Sequence, residues 1–170
     1  DTFGFPIDLT EVMALERGLV VDRDAYETRM EEARTRSRST GEEKAGLGMP
    51  PDAIATLGRD VSPTRDDAKY DLAKTTARIE AVWNGNEFID TIPSSMKVGL
   101  VLDQTNFYAE QGGQIADIGR AENEGGGEYE INDVILFGDW VLHVGSALGG
   151  TLSVGDSLSL HVDAPRRLRI

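Results

Sequence analysis

The 170-residue sequence contains no cysteine. A disulfide scaffold and any thiolate metal site within the chain are therefore excluded, and a reducing compartment fits. Long apolar runs are missing too. No stretch approaches the roughly 18 residues that a membrane-spanning helix needs. Asp1 to Asp8 lack the basic start and apolar stretch of a signal peptide. Bases are scarce: 17 Lys and Arg stand against 30 Asp and Glu, for a net charge of −13. That argues against a free-standing protein that holds nucleic acid mainly by neutralising phosphates. The 39% hydrophobic content is enough to bury a core, which argues against a disordered chain.

The shortage of bases is local. Between Gly99 and Ala164 there are 11 acidic residues and one base, Arg120. Asp22 to Lys44 is nearly balanced, with seven acids and six bases. Three bases, Arg166, Arg167 and Arg169, crowd the last five positions. The chain thus has at least two compositional parts, and the acidic one carries most of the strand pattern.

The start reads as helical. Asp8 and Glu11 have capping-box spacing, Leu9, Val12 and Met13 fall on one stripe, and Gly18 suits a C′ position. A second helix is expected after Asp22 or Asp24, running to about Arg38, with Tyr26, Met30 and Ala33 on one face. Thr40 to Asp71 is punctuated by Gly41, Gly46, Gly48, Pro50, Pro51 and Pro63, and reads as a linker with one short helix around Asp52 to Leu57. From Lys74 the period becomes two. Ala77, Ile79, Ala81 and Trp83 alternate with polar residues, and Asn84-Gly85 signals a hairpin. Further strands are expected at 88–92, 98–103, 129–136, 141–144 and 158–162, with turns at Gly138-Asp139 and Gly155-Asp156. The expected fold is α+β: a short helical segment, then a small antiparallel β-barrel. The expected divisions are 1–45 helical, 46–73 linker and 74–170 barrel. No βαβ alternation is present, which argues against a doubly wound sheet.

Little chemistry can be assembled from these residues alone. His143 and His161 lie in strand-like runs without metal-ligand spacing, so a structural or surface role is favoured for both. No phosphate-binding loop motif is present, and Gly125-Gly126-Gly127 sits among four glutamates, as a hairpin loop would. One segment does not read as ordinary structure: Phe107-Tyr108-Ala109-Glu110-Gln111-Gly112-Gly113-Gln114. Adjacent glycines permit close approach of a backbone to another surface. A bend at a barrel corner is the plainer reading.

Two stretches in combination suggest a family. Asp1-Thr2-Phe3-Gly4-Phe5-Pro6 with Asp8-Leu9-Thr10 resembles the DT(Y/F)GFPxDLT motif of the alanyl-tRNA synthetases. Val101 to Thr105 and Phe107 to Gln114 resemble that family's glycine-rich motif in the barrel part of its editing domain. Leu142-His143-Val144-Gly145, Val154-Gly155-Asp156 and Asp163 with Arg166-Arg167 follow in the family's order.

The resemblance implies the end of a helical tRNA-recognition region followed by the barrel of the editing region, a barrel like those of translation proteins. It implies alanine, ATP with Mg, and tRNA(Ala) as partners of the whole enzyme, zinc at its editing site, no membrane, and cytoplasmic or mitochondrial use. The aminoacylation site would precede Asp1 and the zinc ligands would follow Ile170, so this segment alone is expected to be inactive, with no catalytic or metal-ligating residue of its own. Asp1 would read the G·U wobble pair of the tRNA acceptor stem. Gly112, Gly113 and Gln114 would form the editing-site loop. Arg166, Arg167 and Arg169 are candidates for tRNA phosphate contacts, a solvated cluster being the other reading. Gly-Gly-Gln also occurs at the hydrolytic tip of class I release factors, but the flanking residues here do not resemble that family. Without the resemblance, composition and strands favour a non-enzymatic β-barrel binding module.

Overall fold

The period-two run after Lys74 becomes the strand on which the fold is assembled. In the computed structural model, which describes residues 7–30, 47–70 and 74–169, seven strands form one antiparallel sheet. They are β1 (Thr75–Trp83), β2 (Phe88–Ile89), β3 (Lys97–Leu102), β4 (Gly119–Glu122), β5 (Glu128–Phe137), β6 (Trp140–Gly149) and β7 (Ser157–Val162). The neighbour order is β2-β1-β3-β6-β5-β4-β7, and β7 returns to pair with β1, so six strands close into a barrel and β2 is an extra. β1 pairs with β7 along Thr75–Arg78 and with β2 at Val82 and Trp83, while its other edge holds β3.

A bulge sets the faces of β1. Ile79 lies opposite Leu102 but Ala81 lies opposite Val101, which leaves Glu80 as an extra residue. A one-residue slip moves every later side chain to the other face. Ala77, Ile79 and Val82 therefore point into the barrel, whereas Ala81 and Trp83 join a second cluster outside it. The sequence alternation alone puts Ala77, Ile79, Ala81 and Trp83 on one face; the bulge divides them.

β3 is buried on both sides, which explains its unbroken apolar run. Val98, Leu100 and Leu102 face the barrel interior with Phe107, Tyr129, Ile131, Leu158 and Leu160. Val101 faces outward, with Leu142 and Val144 of β6 beside it. Gly99 has no room for a side chain, since a Cβ there would lie 2.5 Å from a Leu142 methyl.

The outer cluster is covered by a segment that the sequence marks as a linker. The helix Pro51–Asp60 has proline in its first turn, where the missing N–H costs nothing. Ala53 and Leu57, four apart, are buried with Leu47 and Met49 against Ala81, Trp83, Val101, Leu142 and Val144. Beyond the helix, Trp140 Nε1 donates to Val61 O at 3.2 Å, and Thr64 Oγ1 donates to Leu102 O at 2.9 Å. The short helix expected around Asp52 to Leu57 is thus present as Pro51–Asp60, and it packs against the outer cluster.

The turns follow local chemistry. Asn84 Oδ1 accepts from the N–H groups of Asn86 and Glu87, both at 2.8 Å, so the hairpin at Asn84-Gly85 is a four-residue loop led by an Asx turn. Asn123 Oδ1 accepts from Gly127 N at 2.6 Å and organises the glycine-rich hairpin between β4 and β5.

The chain divides into two compact units, Asp1–Ala45 and Gly46–Ile170. In the first, the helix Ile7–Glu16 places Asp8 inside its first turn and not at the cap. It ends in a Schellman motif, with Leu19 N bonded to Ala14 O at 2.8 Å and Gly18 N to Leu15 O at 3.0 Å. Residues 23–30 form a second helical stretch, capped by Asp22 Oδ1 on Ala25 N at 2.9 Å. Its expected continuation to Arg38 lies outside the described residues.

The buried helix gives a direct test. Leu57→Ala lowers the unfolding free energy of the chain in urea by about 3 kcal/mol, the usual cost of truncating a buried leucine. A loss under about 1 kcal/mol would mean that the helix is not part of the core.

Candidate functional site

The segment singled out in the sequence is the long connection from β3 to β4. Its first residues turn back along the barrel rim. Asp103 Oδ1 accepts from Arg78 N at 2.7 Å, and Gln104 Nε2 donates to Thr76 O at 2.6 Å. Thr105, Asn106, Phe107, Tyr108 and Ala109 are then all buried.

Phe107 inserts into the barrel and meets His143 edge to face, with ring centroids 5.7 Å apart. His143 is wholly buried. Its Nδ1 lies 3.2 Å from Leu100 O, which can only accept, so Nδ1 carries the proton. Nε2 is then an acceptor for the Thr105 hydroxyl at 2.7 Å, and Thr105 Oγ1 in turn accepts from Phe107 N at 3.0 Å. The relay fixes the start of the connection to the barrel interior. Burial lowers the His143 pKa to about 4, against the opposing effect of its backbone hydrogen bonds to Leu100 and Val141, so the ring is neutral at pH 7. Burial likewise pushes the Tyr129 phenol well above its ordinary value, and the neutral hydroxyl donates to Val98 O at 2.7 Å.

The far end is held by charge. Asp117 Oδ2 accepts from Tyr108 N at 2.6 Å, and Asp117 N donates to Tyr108 O at 3.0 Å, which closes the loop on itself. Arg167, from the short C-terminal helix Ala164–Arg167, reaches the same carboxylate. Its Nε lies 3.1 Å from Oδ1 and its Nη2 bonds Oδ2. Arg167 Nη2 also donates to Asn106 O at 2.6 Å, and Arg166 Nη1 donates to Ala116 O at 2.7 Å.

Between these anchors the tip stands in solvent. Gln114 N donates to Gln111 O at 3.1 Å, and Gly112 and Gly113 have φ of +61° and +88°, as a type I′ turn requires. A Cβ at either glycine would meet nothing within 4 Å. Glycine is needed here for the backbone turn and not for close packing within this chain. Gly112, Gly113 and Gln114 carry no group that exchanges protons near neutral pH. They offer amides and a carboxamide, which can bind and orient.

The structure thus brings the expected loop together with two of the three expected arginines. Arg166 and Arg167 are spent on the loop's own base, whereas Arg169 is exposed. Asp1 lies outside the described residues. Asp117 and Thr105 were not singled out in the sequence. Asp117 is one acid among 11 between Gly99 and Ala164, and its partner is 50 residues away. His161 points outward, as its alternation with Leu160 and Val162 implies, and its Nε2 is 2.9 Å from Glu122 Oε1. It lines an open cleft of about 520 Å³ with Arg120 and Glu130, on the outer face of β4, β5 and β7. Among the described residues no three His, Cys, Asp or Glu side chains converge on a possible metal position.

The chain matches the family described as tRNA synthetases class II (A) over residues 1–166. It is 37% identical over 172 residues to an alanine--tRNA ligase of Candida albicans, covering 98% of this chain and 18% of the relative. It is 41% identical over 171 residues to the cytoplasmic alanine--tRNA ligase of Dictyostelium discoideum, covering 97% and 18%. It is 36% identical over 174 residues to the mitochondrial alanine--tRNA ligase of Saccharomyces cerevisiae, covering 100% and 18%. The chain therefore spans about a fifth of the length of these relatives.

The buried relay predicts how stability depends on pH. The folded His143 pKa of about 4 lies below the ordinary 6.5. Between these values the unfolded chain binds a proton that the folded chain does not. The contribution is complete above pH ~6.5 and is lost as pH falls toward 4, by about 3 kcal/mol in all. Urea midpoints measured from pH 7.5 to 4.5 check this. His143→Gln flattens that part of the profile; an unchanged slope would mean that other groups cause it.

Proposed function

The chain belongs to the class II (A) tRNA synthetases, and we propose that it is a segment of an alanine--tRNA ligase, contributing to tRNA(Ala) recognition and to the editing of mischarged tRNA. The full enzyme joins alanine to tRNA(Ala) with ATP and Mg, and clears Ser- and Gly-tRNA(Ala) at a zinc site formed by other parts of the protein. In this reading the barrel supplies a wall of the editing site. One observation carries it: the Gln111–Gln114 tip is exposed, while both ends of its loop are anchored by buried polar groups. A hairpin tip held this way suits presentation of backbone amides to a substrate.

Asp1 has the chemistry for its proposed role. The minor groove of A-form RNA is wide and shallow and exposes the guanine 2-amino group. In a wobble pair that amine is not held by the partner base, and a carboxylate, which only accepts, can take its hydrogen bond. A base-edge contact of this kind needs no basic surface, so it is compatible with the acidic composition. Arg169 is left as the candidate for a phosphate contact.

Cytoplasmic use, with a mitochondrial form as the other option, follows the names of the relatives. Among the described residues no helix is long and apolar enough to cross a membrane.

The test uses the ligase that carries this segment. Asp1→Ala lowers the rate of alanine charging of tRNA(Ala) by roughly tenfold to a hundredfold, the scale of one hydrogen bond to a charged group. Gln114→Ala lowers hydrolysis of Ser-tRNA(Ala) by roughly tenfold, with charging the less affected activity. Unimpaired charging in Asp1→Ala would favour a binding module without a part in acceptor-stem recognition.

A further inference from the structure

We propose that Arg167 and Asp117 form a clamp that sets the position of the glycine-rich loop, so that Arg167 is a positioning residue and not a tRNA phosphate contact. The functional consequence rests on the editing reading above; the clamp itself does not.

Three observations converge on it. The first is connectivity. From one C-terminal turn, Arg167 bonds Asn106 O at the start of the loop and the Asp117 carboxylate at its end, and Arg166 bonds Ala116 O. Asp117 passes the constraint on by accepting from Tyr108 N at 2.6 Å, and Tyr108 Oη donates to Gln111 O at 3.2 Å. A continuous series of hydrogen bonds thus leads from Arg167 to the first residue of the Gln111–Gln114 turn.

The second is burial. The side chains of Asp117 and Arg167 are 4% and 12% exposed. A guanidinium in that position cannot lie on a phosphate without leaving its carboxylate buried and uncompensated, which is strongly unfavourable. The third is shape. Arg167 uses Nε and Nη2 on the two carboxylate oxygens and Nη2 again on a carbonyl, a planar fork that a lysine ammonium cannot reproduce. The turn that carries Arg167 is itself fixed. Asp163 Oδ1 accepts from Arg166 N at 3.0 Å, and Asp163 N donates to Ile118 O at 2.9 Å, so the helix start is tied to the residue after Asp117.

The two readings of Arg167 part at a conservative substitution. A phosphate contact needs a positive charge and tolerates lysine; a clamp needs the fork and its carboxylate. Arg167→Lys and Asp117→Asn are therefore compared by amide hydrogen exchange in the 170-residue chain, with β3 and β6 as the internal reference. Each speeds exchange over residues 107–116 by roughly tenfold or more and leaves the reference strands protected. In the ligase that carries this segment, the same variants lower hydrolysis of Ser-tRNA(Ala) by roughly tenfold, and the salt dependence of tRNA binding keeps its slope.

Wild-type exchange over 107–116 in both variants would overturn the clamp. So would wild-type hydrolysis in Arg167→Lys together with a reduced salt slope in Arg167→Ala, the signature of a phosphate contact. If Asp117→Asn does not fold, Arg167→Lys alone decides: faster exchange over 107–116 supports the clamp, and unchanged exchange overturns it. If the wild-type ligase does not hydrolyse Ser-tRNA(Ala), the editing reading falls, and the exchange experiment still settles the clamp.

Discussion

A sheet closes into a barrel only if one strand finds partners on both edges far along the chain, and here that strand is β1. Its Thr75–Arg78 stretch closes the ring on β7, and its Ile79–Trp83 stretch holds β3. The extra residue at Glu80 divides the apolar side chains of this strand between two faces. Ala77, Ile79 and Val82 join the cluster enclosed by the strands, and Ala81 and Trp83 join the one outside them. The helix Pro51–Asp60 then covers the outer cluster, so the barrel wall formed by β1, β3 and β6 is dry on both sides.

A closed barrel with a polar interior is costly unless each polar group is satisfied. His143, Thr105 and Tyr129 meet that condition through the side-chain bond between Thr105 and His143 and through bonds from His143 and Tyr129 to β3 carbonyls. The same bonds hold the start of the loop after β3. At the loop's other end the Asp117–Arg167 pair does the corresponding work by charge. Stability and placement of the loop thus share residues, and the exposed Gln111–Gln114 turn is the part of the segment that the fold leaves available for contact.

The acidic composition takes on a narrower meaning in this setting. Gly99 to Ala164, the larger part of the barrel, holds 11 acids and one base, so phosphate neutralisation is not what its surface is built for. Two of the bases that might have served that purpose, Arg166 and Arg167, are turned inward. The base-edge contact proposed for Asp1 needs no basic surface, so it does not conflict with this composition.

The antiparallel barrel was legible in the period-two runs and their turn residues, because alternation and φ > 0 preferences are local properties. The family was legible in Asp1 to Thr10 and Val101 to Gln114, where unusual residue types stand in fixed order. Three things were not. Short β4 (Gly119–Glu122) has only one apolar side chain turned to the core, Ala121, too little for a period. A short helix was expected around Asp52 to Leu57, but not the packing of the helix Pro51–Asp60, because the strand face it covers exists only after the barrel closes. The partners of His143, Asp117 and Arg167 were hidden for the same reason. A sequence sets which groups can accept, donate or ionise; which carboxylate meets which guanidinium 50 residues away is decided only when the closed sheet brings the loop and the C-terminal turn together.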